Sequence, residues 1–120
     1  MTQDLAAFAS KNNIKYFMVT YTDLFGGQRA KLVPAQAIAG MQKDGAGFAG
    51  FATWLDLTPA HPDMLAMPDP ASVIQLPWKP EVAWVASNCV MEDQEVAQAP
   101  RNVLNKLVAE AAEMGLRVKT

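Results

Sequence analysis

The eight-residue run Ile14-Lys15-Tyr16-Phe17-Met18-Val19-Thr20-Tyr21 constrains the fold of this chain most tightly. It is dense in β-branched and aromatic residues, and both of its alternating faces carry apolar groups. It therefore predicts a central strand. Asp23-Leu24-Phe25-Gly26-Gly27 follows as a turn: the glycines can take the positive φ of a tight reversal, and Asp23 can accept from the backbone ahead of it. Gln28 to Val33 returns as a second strand, with Arg29 and Lys31 alternating with Ala30 and Leu32. That alternation suits one wet face and one dry face. The two strands form a hairpin.

Around it, residues 4–12 read as a short helix capped by Asp4, with Leu5, Phe8 and Ala9 as its apolar stripe and a stop at Asn12-Asn13. Pro34 opens a second helix running to about Met41, with Ala37, Ile38 and Met41 on its apolar side, and Asp44-Gly45-Ala46-Gly47 ends it. Residues 56–71 hold Pro59, Pro62, Pro68 and Pro70 and read as an irregular loop long enough to carry a function or an interface. Val73–Leu76 is a short strand, closed by Pro77-Trp78-Lys79-Pro80. Val82–Met91 is a longer strand, with Val82, Trp84 and Ala86 on one face and Ala83, Val85 and Cys89 on the other. A helix over 100–114 starts at Pro100, gathers Val103, Leu104, Leu107, Val108 and Ala111 on one side, and ends at Gly115. Leu116 to Thr120 reads as the beginning of another strand. This order predicts an α+β fold, a mixed sheet partly wrapped around a helix in the β-grasp manner.

Composition excludes several roles. With 51% apolar and 18% charged residues, the 120-residue chain is a globular domain rather than a disordered one. Its net charge of −2, with scattered Lys and Arg, offers no counterion-releasing surface, so nucleic acid is not an expected partner. No run approaches the roughly 20 apolar residues that span a bilayer. The first residues lack the basic head and apolar stretch of a signal peptide. A single cysteine, Cys89, predicts a reduced, cytoplasmic setting and a buried small hydrophobe. With one histidine, His61, beside one cysteine, no zinc site is expected, and His61 in its proline-rich loop reads as a surface residue. None of the twelve acidic residues is spaced as E-x-E or D-x-D in a strand. Gly45, Gly47 and Gly50 lack the lysine of a phosphate-cradling loop and read as a turn. Trp84 reads as core and Trp78 as a loop anchor, while Trp54 is open to either loop packing or ligand stacking. Composition and spacing alone describe an α+β domain without an active site of its own.

Motif order adds more. Phe48-x-Gly50, followed by Pro62-Asp63-Met64 and Met67-Pro68-Asp69, resembles the loop of glutamine synthetases, usually F-D-G-S-S running to S-D-M-x-L-x-P-D. Tyr21-Thr22-Asp23 with Gly26 is similar to that family's first hairpin, Pro34-Ala35 to the opening of its next helix, and Pro100-Arg101 to the start of its long helix. The resemblance implies an amino-terminal β-grasp domain over residues 1–99. Residues 100–120 would then be a linker helix and the start of a catalytic domain cut off beyond them. It further implies a ring-forming ligase that uses ATP and Mg or Mn to join glutamate to ammonia or a small amine. Those sites would lie in the absent domain, leaving this fragment inactive alone. In the family this loop is lent to a neighbouring subunit's active site, where an aspartate helps hold ammonium. Here that position is Ala49 and the paired serine position is Ala52, so the implied amine loop is Ala49, Gly50, Phe51, Ala52 and Trp54. The Gly45–Gly50 stretch with Trp54, and Pro77-Trp78-Lys79-Pro80, are similar to the γ-glutamylmethylamide synthetase branch. The resemblance also predicts an apolar patch around Phe48, Phe51 and Trp54 that is exposed or self-associated.

Two other readings compete with this one. The first is a freestanding β-grasp interaction module, against which stands the absence of a Gly-Gly tail at Val118-Lys119-Thr120. The second is a ring-assembly domain whose site role has decayed, with Ala49 as its evidence.

Overall fold

The computed structural model describes residues 4–119. It begins with α1 (Leu5–Asn12), whose start is set by Asp4: the carboxylate accepts from the Ala6 N–H at 2.9 Å. Asn13 takes the left-handed conformation that ends it. β1 (Tyr16–Thr22) and β2 (Gln28–Pro34) form the expected antiparallel hairpin, in register from Tyr16 opposite Pro34 to Thr22 opposite Gln28.

The second helix begins later than the sequence suggests. Pro34 still belongs to β2, a 3-10 turn covers Ala35–Ala37, and α2 proper is Ile38–Asp44. Ile38 is its buried residue, whereas Ala37 is exposed. β3 (Ala46–Phe48) follows directly, and Gly45 makes the corner at φ 84°.

The stretch 56–71 is not an irregular loop. β4 (Met64–Pro68) runs through its middle, between β3 and the long strand β6 (Val82–Met91). Its residues alternate buried and half-buried, a pattern that the all-apolar run Met64-Leu65-Ala66-Met67 among prolines did not display. Pro59 and Pro62 precede the strand, Pro68 closes it, and Pro70 opens a 3-10 turn. None of the four therefore interrupts the ladder. Two short strands, β5 (Ile74–Gln75) and β7 (Gln94–Glu95), complete the sheet, both pairing with β6.

The main path of the sheet is β2-β1-β6-β4-β3. β1 and β6 lie parallel at its centre, from Tyr16 opposite Val82 to Thr20 opposite Ala86, while the other pairs are antiparallel. This is the α+β, β-grasp arrangement. One face carries the core, where Phe17, Val19, Val85 and Met64 meet Leu5 of α1 and Ile38 of α2, all six fully buried. Cys89 sits in that core, as expected. So does Ser87, whose hydroxyl finds no hydrogen-bond partner among the described residues.

The opposite face is less covered than the sequence implies. Leu32 is 57% exposed, so the Ala30/Leu32 side of β2 is not its dry side. Period 2 places Arg29 and Lys31 with buried Val33, toward the core side of the sheet. Trp84 is half-buried on the outer face rather than core, and Trp78 is exposed rather than anchored. With Met18, Ile74, Leu76 and Pro77 they line an open apolar cleft of about 610 Å³.

α3 (Pro100–Glu113) has the expected extent, but only Asn102 is buried in it. The apolar row Val103, Leu104, Leu107 and Val108 is exposed throughout. Gly115 follows with φ 77°. Residues 116–119 form no strand, and Thr120 lies outside the described residues. No helix among the described residues is long and apolar enough to cross a membrane.

Candidate functional site

The segment from Ala46 to Leu57 is anchored at alternate points and presents what lies between them. Gly50 opens a 3-10 turn over Gly50–Ala52 and is buried against the chain that follows. A Cβ there would lie 2.7 Å from the Pro62 carbonyl oxygen, so only glycine fits. Thr53, fully buried, donates from its hydroxyl to the Gly50 carbonyl at 2.6 Å. The Thr53 carbonyl accepts in turn from the Tyr21 hydroxyl at 3.0 Å. Leu55 is also fully buried, and its carbonyl accepts from Gln98 Nε2 at 2.7 Å.

Between these two anchors Trp54 takes φ 59°, and Asp56 beyond them takes the same value. A bulky side chain in the left-handed region is uncommon and costs backbone energy. The effect here is to turn the indole outward, 54% exposed, beside Phe51 at 62%. Phe48 behaves differently from the expected patch. It is half-buried against the core, edge-on to Tyr21 at 4.9 Å, with Lys31 Nζ over its ring at 4.9 Å and bonded to the Gly47 carbonyl. Ala49 and Ala52 are exposed, and Gly50 is buried.

Phe51, Trp54, Asp56 and Leu57 share an open cleft of about 430 Å³ with Leu24 and Phe25 from the β1–β2 turn. The structure therefore brings Phe51 and Trp54 together, and it adds hairpin residues that sequence reasoning did not include. Phe25 stands edge-on to Trp54 at 5.3 Å, and the Arg29 guanidinium lies 5.2 Å from the indole centroid. The signal for Arg29 was its place beside Lys31 in a row alternating with Ala30 and Leu32, but only the placement of Trp54 reveals what that row faces.

Asp23 organises the turn. One carboxylate oxygen accepts from the Phe25 and Gly27 N–H groups at 2.9 and 2.8 Å; the other accepts from Arg29 Nε at 2.9 Å. The Arg29 hydrogen bond, reinforced by those N–H groups, holds the carboxyl below the usual carboxylate range, against the opposing effect of burial. Its contribution to stability is present above the ordinary carboxylate range and is lost as pH falls through the lowered value.

At the alkaline end, burial pushes the Tyr21 phenol up to about 12 and the Cys89 thiol up to about 11. Both groups are better tolerated neutral in the fold. The stability they contribute is complete below the unfolded values of 9.0 for Cys89 and 10.0 for Tyr21, and is lost as pH climbs through the folded ones. Urea denaturation from pH 8 to 12 is expected to show stability falling across that window. In Y21F the upper part of the fall should flatten; an unchanged slope would contradict the assignment.

His61 stays a local loop residue, exposed, with Nδ1 2.9 Å from the Thr58 N–H. Among the described residues no group of three or more His, Cys, Asp or Glu side chains could hold a metal ion.

No family model matches the chain. Over all 120 residues it is 78% identical to a glutamine synthetase of Rhizobium leguminosarum bv. phaseoli and 72% identical to one of Rhizobium meliloti (strain 1021). The chain belongs to the glutamine synthetase family. It spans 28% of the length of each of these relatives. A glutamate–methylamine ligase of Methyloversatilis universalis is 32% identical over 110 residues, which is 90% of this chain and 25% of that protein. Among solved structures, GmaS in complex with ADP superposes with a TM-score of 0.90 at 54% identity, over 95% of this chain and 26% of that one. GmaS without ligand gives 0.89 at 54% identity, over 92% and 26%. These matches are to the family's amino-terminal region.

Proposed function

We propose that this chain is the amino-terminal domain of an ATP-dependent ligase that joins glutamate to a small amine, with methylamine preferred over ammonia. In this reading it lends residues 49–54 to the active site of a neighbouring subunit in a cytoplasmic homo-oligomeric ring. The observation that carries the reading is the outward indole of Trp54, set in a left-handed conformation between buried Thr53 and Leu55. A loop that only filled space would turn that ring inward, where burying it would release more free energy.

The cleft's composition supports an alkylated amine. Ala49 offers no carboxylate where the resemblance expects an aspartate, so an ammonium ion loses its usual partner there. Phe25, Phe51 and Trp54 supply apolar surface and π faces, and Asp56 supplies a carboxylate, with the Arg29 guanidinium against the indole at the edge of the cleft. That combination takes a small alkylammonium ion better than ammonium. Burying one extra carbon is worth about 0.8 kcal/mol, or about four-fold in affinity. On the same family resemblance we assign ATP and its Mg or Mn to the rest of the ligase and expect this chain alone to be inactive.

The test is steady-state kinetics of a full-length ligase bearing this domain, with ammonia, methylamine and ethylamine as competing acceptors. Methylamine is expected to have the highest kcat/KM; equal or better turnover of ammonia would sink the assignment. In W54A the methylamine KM is expected to rise about four-fold, with the ammonia KM changing by less than about two-fold. Unchanged kinetics would favour the decayed ring-assembly reading instead.

A further inference from the structure

We infer that Arg29, aimed by Asp23, is the positioning residue that holds Trp54 outward and so sets amine preference; this rests on the amine-loop reading above. Three contacts fix Trp54 from outside its own segment, and all come from the β1–β2 hairpin, two from its turn and one from β2. The Leu24 N–H donates to the Trp54 carbonyl at 3.2 Å, Phe25 meets the indole edge-on, and the Arg29 guanidinium lies against the ring. The left-handed backbone at Trp54 is disfavoured on its own, so it persists only while surrounding contacts hold it.

Asp23 couples these contacts into one device. Its Oδ1 folds the turn that presents Phe25, and its Oδ2 takes Arg29 Nε. Gly27 leaves room for this, since a Cβ there would lie 2.8 Å from Oδ2. The guanidinium does two jobs at once: it bonds the carboxylate through an edge N–H and lies against the indole. The compact ammonium of a lysine cannot reproduce both. Asp23 is almost fully buried and Arg29 is 38% exposed, so the pair has one fixed end and one end at the cleft. None of this touches the reacting atoms, so the role is positioning and not catalysis.

The experiment combines two readouts. The 120-residue chain is labelled with 5-fluorotryptophan, its three resonances are assigned with W54F, and R29M and R29K are compared with the parent by 19F NMR. Trp78 and Trp84 line the cleft on the other face of the sheet and report whether each variant is folded. The expected result is a displaced or broadened Trp54 resonance in R29M, a smaller change in R29K, and the other two resonances unmoved. R29K retains the charge opposite Asp23 and serves if R29M fails to fold. In the full-length ligase the methylamine KM is expected to rise roughly two- to five-fold in R29M, with the glutamate KM within about two-fold. A Trp54 resonance unmoved in the folded variants would overturn the inference whatever the kinetics. A moved resonance with unchanged methylamine KM would also overturn the claim on amine preference. In that case W54A decides what else fails: if it raises the methylamine KM, the loop reading stands without Arg29; if it does not, the loop reading falls too.

Discussion

Replacing Gly45 with alanine is expected to cost this chain about 3 kcal/mol of stability. Gly45 turns the end of α2 directly into β3 at φ 84° and ψ 163°, a combination that side-chain-bearing residues essentially do not adopt. Strain of that kind is worth about 1–3 kcal/mol by itself. The space is also taken. An added Cβ would lie 2.6 Å from Met67 Sδ, 3.1 Å from Leu65 Cβ and 3.3 Å from the Ala66 carbonyl oxygen. Methionine can swing aside, but Leu65 Cβ and the Ala66 carbonyl belong to β4 in the middle of the sheet. The chain itself supplies the control: Gly115 has φ 77° with nothing within 4 Å of its would-be Cβ. G115A therefore carries the conformational penalty alone, about 1 kcal/mol at a helix end. Urea denaturation of both variants checks the difference. If G45A lost no more than G115A, the close approach to β4 would not be what selects glycine.

Asn102 is the second position where a small change should have a large effect. It is 5% exposed and spans the junction between α3 and the sheet. Its Oδ1 accepts from the Cys89 N–H at 3.3 Å, and its Nδ2 donates to the Cys89 and Val96 carbonyls at 2.8 and 2.9 Å. The two carbonyls have further partners, the Val96 and Ala99 N–H groups at 3.0 Å each, so truncation leaves chiefly the buried Cys89 N–H without a partner. N102A is expected to cost about 2–3 kcal/mol. It should also release the helix, because no other α3 side chain is buried and the remaining side-chain ties among the described residues are polar and partly exposed: Arg101 to Asp69 and Asn88, and Asn105 to Asn88. Hydrogen exchange should then show protection over residues 103–113 dropping by more than the global stability does. Protection that fell only in step with global unfolding would mean that α3 is held by something other than Asn102.

α3 also shows how a correct sequence pattern can mislead. Val103, Leu104, Leu107 and Val108 fall at helical spacing, and that spacing forecasts both a helix and a covered face. The helix is there, but the face is exposed. Periodicity reports that a stripe exists, not which surface meets it. β4 is the opposite case. Met64-Leu65-Ala66-Met67 is apolar throughout, with no polar alternation to mark a half-buried strand, and four prolines within a dozen residues pointed to a loop. Three of them flank the ladder and Pro68 is its last paired position, opposite Ser87, and strand pairing is a long-range fact that local residue types cannot reveal.

The loop was legible to a similar depth. Motif order alone picked out Ala49, Gly50, Phe51, Ala52 and Trp54, and the exposure of Phe51 and Trp54 agrees with the patch expected there. What the motifs could not convey is that Arg29, remote in sequence, lies against Trp54, or that Phe48 turns toward the core while Trp54 turns away.

Local chemistry by itself determined the capped first helix, the β1–β2 hairpin with its glycine turn, the long strand β6, the extent of α3 and the family to which the motifs belong. The elements depend on propensities and spacings within a few residues of one another, and the family on the order of short motifs along the chain. Tertiary structure alone decided which side of β2 is dry, that β4 lies between β3 and β6, and which aromatic rings face solvent. Those outcomes depend on what packs opposite, and a side chain's partner across a sheet is chosen by the whole fold, not by its neighbours in the chain.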